Sequence, residues 1–138
     1  HRYADPDAYQ TYLAQYVNGA RKAGANPVLI TPVNRRKFEN GKLIPTHGVY
    51  PEAMIKLARE LQVPLIDLTE RSRVLFEKLG PEETKRLFLW LKPGENGNYP
   101  EGIQDDTHFL ETGALEVAKL IVAGIRELDL PLAKYLKM

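Results

Sequence analysis

The chain contains no cysteine among its 138 residues. Disulfide bonds, thiolate metal sites and a cysteine nucleophile are therefore excluded. An excess of one charge sign is also missing, because 19 basic residues nearly balance 18 acidic ones. With no clustered basic face, we expect no nucleic-acid partner. The chain also lacks an apolar run of about 18 residues, so we expect no membrane-spanning helix and no membrane partner.

Serine is almost absent, since Ser72 is the only one. It lies inside the helical pattern "ERSRV", away from any strand-to-helix turn, and is a poor candidate for a nucleophile. Thr31 ends a predicted strand but has no glycine elbow around it. The chain starts at His1 and so has no initiator methionine. Its first residues show no signal-peptide pattern either. We expect it to have been processed, cut or subcloned, which leaves the compartment open.

Helical and strand patterns alternate along the chain. Helices are predicted from Asp5-Pro6 to Gly24, from Pro51 onward, and over 70–79, 81–89 and 111–128. Two short β-branched runs, 26–33 and 63–69, have the pattern of buried parallel strands. The residues that share one helical face are Tyr9, Leu13, Tyr16, Val17 and Ala20 in the first helix and Met54, Leu57, Ala58 and Leu61 in the second. In the last helix, the residues predicted to face inward are Leu115, Ala118, Val122 and Ile125.

This order predicts one α/β domain with a parallel sheet. Polar segments separate the elements: 34–48, with a turn at Asn40-Gly41, and the long Gly-, Pro- and Asn-rich loop "LKPGENGNYPEGIQDD". Only two strands are visible, and a two-stranded parallel sheet cannot cover its own edges. We therefore expect further strands of the sheet to lie upstream of these residues.

The stretch "QDDTHF" carries the most suggestive chemistry. Asp105 and His108 are three residues apart in a segment leading into the last helix, where catalytic groups are often mounted. A carboxylate can bind one ring nitrogen and leave the other free to accept a proton from a hydroxyl nucleophile. On spacing alone, a turn into the helix with a surface histidine is the commoner interpretation.

Metal and cofactor sites are not predicted. The histidines are His1, His47 and His108, none of them a pair at helical spacing, and zinc sites need convergent ligands. Asp105, Asp106 and Glu111 lack the ligand spacing of a calcium loop. No glycine-rich phosphate loop follows a strand and opens a helix, so no cofactor is expected.

A short basic run, Arg35, Arg36 and Lys37, follows the predicted strand end at Val33. Ligands of open α/β sheets bind beyond the carboxyl ends of the strands, so Arg35 and Arg36 are candidates for binding an anionic substrate such as an acidic sugar. A solvated charge run is the commoner explanation. The aromatic residues Trp90, Tyr99 and Phe109 are candidate stacking surfaces for a sugar ring, although core packing explains Phe109 equally well.

Three segments resemble a known family: "PVLITPVNRRKF", "HGVYPEAMIKLARELQVPLIDLTERS" and "DDTHFLETGALEVAKLI". They look like the later part of rhamnogalacturonan acetylesterases, members of the GDSL or SGNH hydrolase superfamily. The resemblance covers nearly the whole chain. It implies a three-layer α/β/α sandwich with a parallel sheet, as in flavodoxin-like folds. It also implies that Asp105 and His108 match the family's closing Asp-x-x-His motif, with His108 as general base and Asp105 orienting it.

The family's other motifs have no match here. Its nucleophilic serine lies in a Gly-Asp-Ser motif, and its oxyanion hole uses that serine's amide, a glycine and an asparagine from further blocks. The resemblance therefore implies that residues 1–138 are the C-terminal portion of a single SGNH domain, with about two strands of the sheet. Its implied partners are an acetylated polysaccharide or oligosaccharide and a missing N-terminal half bearing the serine, glycine and asparagine.

Three functions remain open at this point. The leading one is a serine esterase that removes acetyl groups from pectin-type polysaccharide, with the isolated chain inactive because it lacks a nucleophile. The second keeps the superfamily but changes the substrate to another acylated sugar or small ester. The third is a non-catalytic fragment that self-associates through an open sheet edge. A polysaccharide substrate would favour a secreted or periplasmic location, and a cytoplasmic one stays open.

Overall fold

A computed structural model describes residues 4–137. Its helices are α1 (Pro6–Lys22), α2 (Tyr50–Glu60), α3 (Leu68–Glu83) and α4 (Glu111–Glu127), with 3-10 turns at Thr84–Leu87 and Pro131–Tyr135. Its strands are β1 (Leu29–Ile30), β2 (Phe38–Glu39), β3 (Lys42–Leu43), β4 (Leu65–Ile66), β5 (Phe88–Leu91) and β6 (Ile103–Phe109). None of the helices described here combines the length and apolar character that crossing a bilayer requires.

The two predicted strands pair in parallel, as expected. Leu29 of β1 lies opposite Leu65 of β4, and Ile30 lies opposite Ile66. The ladder continues at its end through a 3.1 Å hydrogen bond from the amide of Thr31 to the carbonyl of Ile66. Both strands are shorter than predicted. The mixed α/β class is therefore confirmed within residues 4–137.

Two antiparallel pairs were missed by the sequence patterns. β2 and β3 form a hairpin across Asn40 and Gly41, both with positive φ (50° and 76°), which gives the predicted turn two short strands. β5 pairs with β6, so the prediction of a helix to residue 89 and of a loop through residue 106 was wrong. Gly80, at φ 76°, breaks α3 at the position where the sequence predicted one helix to end and the next to begin.

In two helices, some residues on the apolar face of the sequence pattern are exposed in the structure. Leu115 of α4 is 56% exposed and Ala118 is exposed as well, so the prediction that these two residues face inward was wrong. In α1, Tyr16 lies on the apolar face but is 79% exposed. α4 instead buries Gly113, Val117, Gly124 and Ile125. A Cβ added to Gly113 would lie 2.0 Å from the carbonyl oxygen of Leu87, and one added to Gly124 would lie 2.7 Å from the Ile66 side chain. α4 thus packs through its glycines, which a hydropathy pattern does not weight.

Two buried clusters hold these elements together. One contains Ile66, Ile125 and Leu130 and joins β4 to α4 and the segment after it. The other contains Leu43, Phe76, Leu87 and Phe88, with Trp90 and Phe109 packed against it. The second cluster lies beneath the β5–β6 pair, and its aromatic rings are in contact: the ring centroids of Phe88 and Phe109 are 4.7 Å apart. The strand that carries the "QDDTHF" stretch is therefore anchored in a core.

Candidate active site

The Asp-x-x-His stretch lies on a wide bulge of β6. Trp90 pairs with Gln104 and Phe88 pairs with Phe109, so one residue of β5 faces four residues of β6, 105–108. Such a bulge leaves residues without ladder partners and redirects their side chains. Phe109 closes it on the core side, and the amide of Leu110 donates to the carbonyl of Leu87 at 3.0 Å.

Asp105 organises this bulge through both carboxylate oxygens. Its Oδ1 accepts hydrogen bonds from the amides of Thr107 (2.7 Å) and His108 (2.9 Å), which closes a tight turn. Its Oδ2 lies 2.7 Å from Nδ1 of the His108 ring. The structure therefore brings together the two residues that the sequence singled out.

Hydrogen bonding determines the charge state of Asp105. The amide of His108 donates to this carboxylate, and the His108 side chain and the Thr107 amide add further bonds, which together lower the pKa of Asp105 from 3.8 to about 2. An ionised carboxylate only accepts hydrogen bonds, so Nδ1 of His108 carries the proton near neutral pH. Nε2 of the neutral ring is then left as an acceptor.

The His108 ring is open to solvent. Its side chain is 74% exposed, whereas that of Asp105 is 22% exposed. An exposed ring with one nitrogen fixed by a carboxylate can take a proton from a group that approaches from outside the bulge. That is the geometry a general base needs. The geometry defines how these two side chains are paired, but it defines neither a substrate nor a nucleophile. Catalysis by Asp105 and His108 therefore remains a prediction.

Asp106, the neighbour of Asp105, links the bulge to two other segments. Its Oδ1 accepts hydrogen bonds from Nη1 of Arg36 at 2.8 Å and from Nε1 of Trp90 at 2.9 Å. Its carbonyl accepts from the Arg36 amide at 2.8 Å. The Arg36 guanidinium also donates to the carbonyl of Pro81 at 2.6 Å and lies 4.7 Å from the centre of the Trp90 ring. Sequence reasoning missed Asp106 and this role of Arg36, because pairs distant along the chain leave no periodic signal.

Arg35 and Arg36 have different environments, although both were predicted to bind substrate. Arg36 is only 10% exposed and its guanidinium is already bound. Arg35 is exposed, and both arginines line a hollow of about 620 Å³ together with Lys37 and Asp106. Substrate binding by either arginine stays a prediction, and the geometry favours Arg35.

The three aromatic candidates for stacking on a sugar ring have different environments. Trp90 is half-buried, with the Arg36 guanidinium 4.7 Å and the Lys85 ammonium 4.8 Å from its ring centre, so cations already occupy its surface. Phe109 belongs to the core cluster, as the packing alternative predicted. Tyr99 is half-buried in the connection between β5 and β6. Phe109 is thus poorly placed to stack on a sugar ring, whereas Trp90 lines an open hollow beside these two cations.

The hydroxyl groups considered as nucleophiles are buried in a polar network. Ser72 is 0% exposed; its Oγ accepts from the amide and from Nδ2 of Asn34, each at 3.1 Å, and donates to the carbonyl of Thr69. Thr31 is 1% exposed and donates to Oδ1 of Asp67 at 3.0 Å. These bonds tie the segment after β1 to the start of α3. Ser72 and Thr31 are therefore engaged in structural hydrogen bonds, and their burial agrees with the expectation that they are poor nucleophile candidates.

Of the other two histidines, His47 contacts the backbone of the segment after β1. Nε2 of His47 lies 2.8 Å from the carbonyl oxygen of Val33, while His1 lies outside the described residues. Within residues 4–137, no three histidine, aspartate or glutamate side chains are grouped as a metal ion would require.

Two curated proteins of Bacillus subtilis strain 168 are similar to nearly the whole chain. Rhamnogalacturonan acetylesterase RhgT is 54% identical over 129 residues, which cover 93% of this chain and 56% of the relative. The probable rhamnogalacturonan acetylesterase YesY is 44% identical over 134 residues, covering 96% of this chain and 58% of the relative. The resemblance to rhamnogalacturonan acetylesterases is confirmed. The chain spans a little over half the length of either relative.

A crystal structure supports the fold. Protein YxiM of Bacillus subtilis superposes with a TM-score of 0.74 at 22% identity, covering 92% of this chain and 33% of that one. At this identity the likeness concerns the fold alone, which is consistent with an SGNH-like α/β arrangement. No protein-family model matches the sequence.

Proposed function

We propose that this chain supplies the general base and its orienting carboxylate to a serine esterase that removes acetyl groups from rhamnogalacturonan. The observation that carries the proposal is the 2.7 Å hydrogen bond between Asp105 and His108, on the only Asp-x-x-His stretch in the sequence. The similarity to two proteins named as rhamnogalacturonan acetylesterases supports the substrate class.

The chemistry follows from the tautomer of His108. Its Nε2 accepts the proton of a serine hydroxyl as the hydroxyl oxygen attacks the acetyl carbonyl carbon. Asp105 remains ionised and stabilises the imidazolium that forms. The imidazolium then protonates the departing sugar oxygen, which leaves an acetyl-serine. A water molecule, deprotonated by the same Nε2, attacks this ester. The imidazolium returns the proton to the serine oxygen as its bond to the acetyl carbon breaks, which releases acetic acid and regenerates the serine.

We further propose that the serine and the oxyanion-hole donors come from residues outside this sequence. Ser72, the only serine, is buried and hydrogen-bonded to Asn34. In this proposal residues 1–138 form the C-terminal portion of one SGNH domain of three α/β/α layers. The β1–β4 pair supports this arrangement, because in the described residues each of its strands lacks a partner on one side.

Two hollows beside the bulge support an anionic polymer as substrate. One, of about 620 Å³, presents Arg35 and Lys37 next to Asp106. The other, of about 710 Å³, presents Lys85, Arg86 and Lys92 and includes Gln104, the residue before Asp105. Each hollow is thus lined by a residue of the bulge or by the residue just before it. Each also carries more cationic than anionic side chains, which suits a galacturonate-containing backbone.

The test is acetate release by the full-length protein that contains this chain. Acetylated rhamnogalacturonan, acetylated xylan and 4-nitrophenyl acetate are compared, with and without a serine-directed fluorophosphonate. We expect inhibition by the fluorophosphonate, and a higher kcat/KM on rhamnogalacturonan than on the neutral xylan. Equal or greater activity on xylan would favour the second function, an esterase for another acylated sugar. Activity that resists the fluorophosphonate, or no activity on any ester, would contradict the serine-esterase assignment.

A further inference from the structure

We propose that Arg36 and Trp90 are positioning residues, which hold the Asp105–His108 pair in place through their shared hydrogen bonds to Asp106. The inference rests on the proposed function and extends it to residues that touch neither substrate nor nucleophile.

The contacts converge on one carboxylate oxygen. Oδ1 of Asp106 receives the Arg36 guanidinium at 2.8 Å and the Trp90 indole N–H at 2.9 Å. These two donors are themselves in contact, since the guanidinium carbon lies 4.7 Å from the indole centre. A cation held over an aromatic face is stabilised by the ring quadrupole. The three side chains therefore form one unit, the Arg36–Asp106–Trp90 cluster.

The cluster fastens the bulge to two rigid parts of the fold. Trp90 lies on β5 and packs against the core cluster that contains Phe76 and Phe88. Arg36 is bound through Pro81 to the break in α3 and through its own amide to the Asp106 carbonyl. In the bulge, four residues of β6 face one residue of β5, so few ladder hydrogen bonds hold it. Its shape therefore depends on contacts with other segments.

Asp106 is adjacent in the chain to Asp105, so the contacts of Asp106 affect the geometry of the Asp105–His108 pair. Asp106 lies between Asp105 and the two amides, of Thr107 and His108, that bind Asp105 Oδ1 at 2.7 and 2.9 Å. Fixing the backbone and side chain of Asp106 fixes the turn that these amides close. Misplacement of a catalytic group by about 1 Å can cost about a hundredfold in rate.

The experiment uses three variants of the full-length protein. Asp106→Ala removes the acceptor, and Asp106→Asn removes the charge but keeps an Oδ1 acceptor. Glu127→Ala is the matched control, because it breaks another arginine–carboxylate pair between separate elements, the Arg71–Glu127 bridge of 2.5 Å. The readouts are kcat and KM on 4-nitrophenyl acetate, and the pKa of the Asp105 carboxyl from carbon-13 NMR.

For Asp106→Ala we expect kcat to fall about 10- to 100-fold with KM little changed. We also expect the Asp105 pKa to rise from about 2 toward its ordinary 3.8, since the bonds that lower it loosen. Asp106→Asn should recover most of the kcat, and Glu127→Ala should alter neither readout. If Asp106→Ala does not fold, Trp90→Phe replaces it: this variant removes one donor, keeps an aromatic ring and should shift both readouts in the same directions by less.

The inference is overturned if Asp106→Ala keeps the Asp105 pKa near 2 and loses activity only in proportion to its folded fraction. It is also overturned if Glu127→Ala reproduces the effects of Asp106→Ala. A wild-type protein without esterase activity would contradict the proposed function alone, because the Asp105 titration still reports whether the cluster holds the pair.

Discussion

Oδ2 of Asp105 lies 2.7 Å from Nδ1 of His108, while 74% of the histidine side chain faces solvent. The two properties together distinguish this pair from a buried structural hydrogen bond. One nitrogen is fixed by a carboxylate with a lowered pKa, and the other can be reached from outside. The bulge of β6 produces this arrangement, because a regular strand would send residues 105 and 108 to opposite faces.

Acid should loosen the bulge only at very low pH. The pKa of Asp105 is lowered to about 2 because the charged carboxylate accepts the bonds from His108 and Thr107. A lowered pKa in the folded state means that the stabilisation is complete above the ordinary value of 3.8 and is lost as the pH falls through about 2. A carbon-13 NMR titration of the Asp105 carboxyl should have its midpoint near 2. A midpoint near 3.8 would show that these hydrogen bonds are absent in solution.

Replacing Gly113 should test the close packing of α4. A Cβ at this position would meet the carbonyl oxygen of Leu87 at 2.0 Å, and a backbone atom cannot move aside cheaply. We expect Gly113→Ala to lower the free energy of unfolding by an amount at the upper end of the roughly 1–3 kcal/mol typical of overpacking. Gly19→Ala is the control, since no atom lies within 4 Å of its added Cβ and an exposed helical alanine gains about 0.5–1 kcal/mol. Equal effects in urea denaturation would refute the packing.

Removing the Arg35 charge should affect the polymer more than a small ester. We expect Arg35→Ala to raise KM for acetylated rhamnogalacturonan about two- to fivefold, because an exposed charge contact is worth less than about 1 kcal/mol. KM for 4-nitrophenyl acetate should stay unchanged. Arg126→Ala, which removes an exposed arginine at the end of α4, should change neither KM. An equal rise for both substrates would argue for a structural role of Arg35.

The sequence predicted the parts of the fold that local signals encode. The Asp5 cap, the Gly24 stop, the turn at Asn40-Gly41 and the parallel pairing of residues 26–33 with 63–69 all follow from such signals. The pairing of Asp105 with His108 was expected from the family resemblance, whereas their spacing alone favoured a turn with a surface histidine. The β5–β6 pair was not predicted, because its segments are joined by a Gly- and Pro-rich connection and one of them is bulged. Arg36 and Asp106 lie 70 residues apart, so only the folded chain shows their contact.

The 138-residue chain by itself should self-associate. In the described part of the chain the β1–β4 sheet has two strands, Ile30 on β1 is 37% exposed and Leu115 on α4 is 56% exposed. Unpaired strand edges and exposed apolar side chains favour dimers or aggregates. Size-exclusion chromatography with near-ultraviolet circular dichroism should show a dimer, an aggregate or weak aromatic signals. A compact monomer with rigid aromatic signals and a cooperative melt would contradict this expectation.

The most direct test of the central claim is the kcat of His108→Ala in the full-length protein, measured as acetate release from acetylated rhamnogalacturonan. Because members of a catalytic triad act as a unit, we expect a loss of several orders of magnitude. Asp105→Ala should cost less, since other acceptors can partly orient the ring, and Glu127→Ala should cost nothing. The account predicts that ordering with all three proteins folded. A folded His108→Ala protein that retains the wild-type kcat would show that His108 is not the general base.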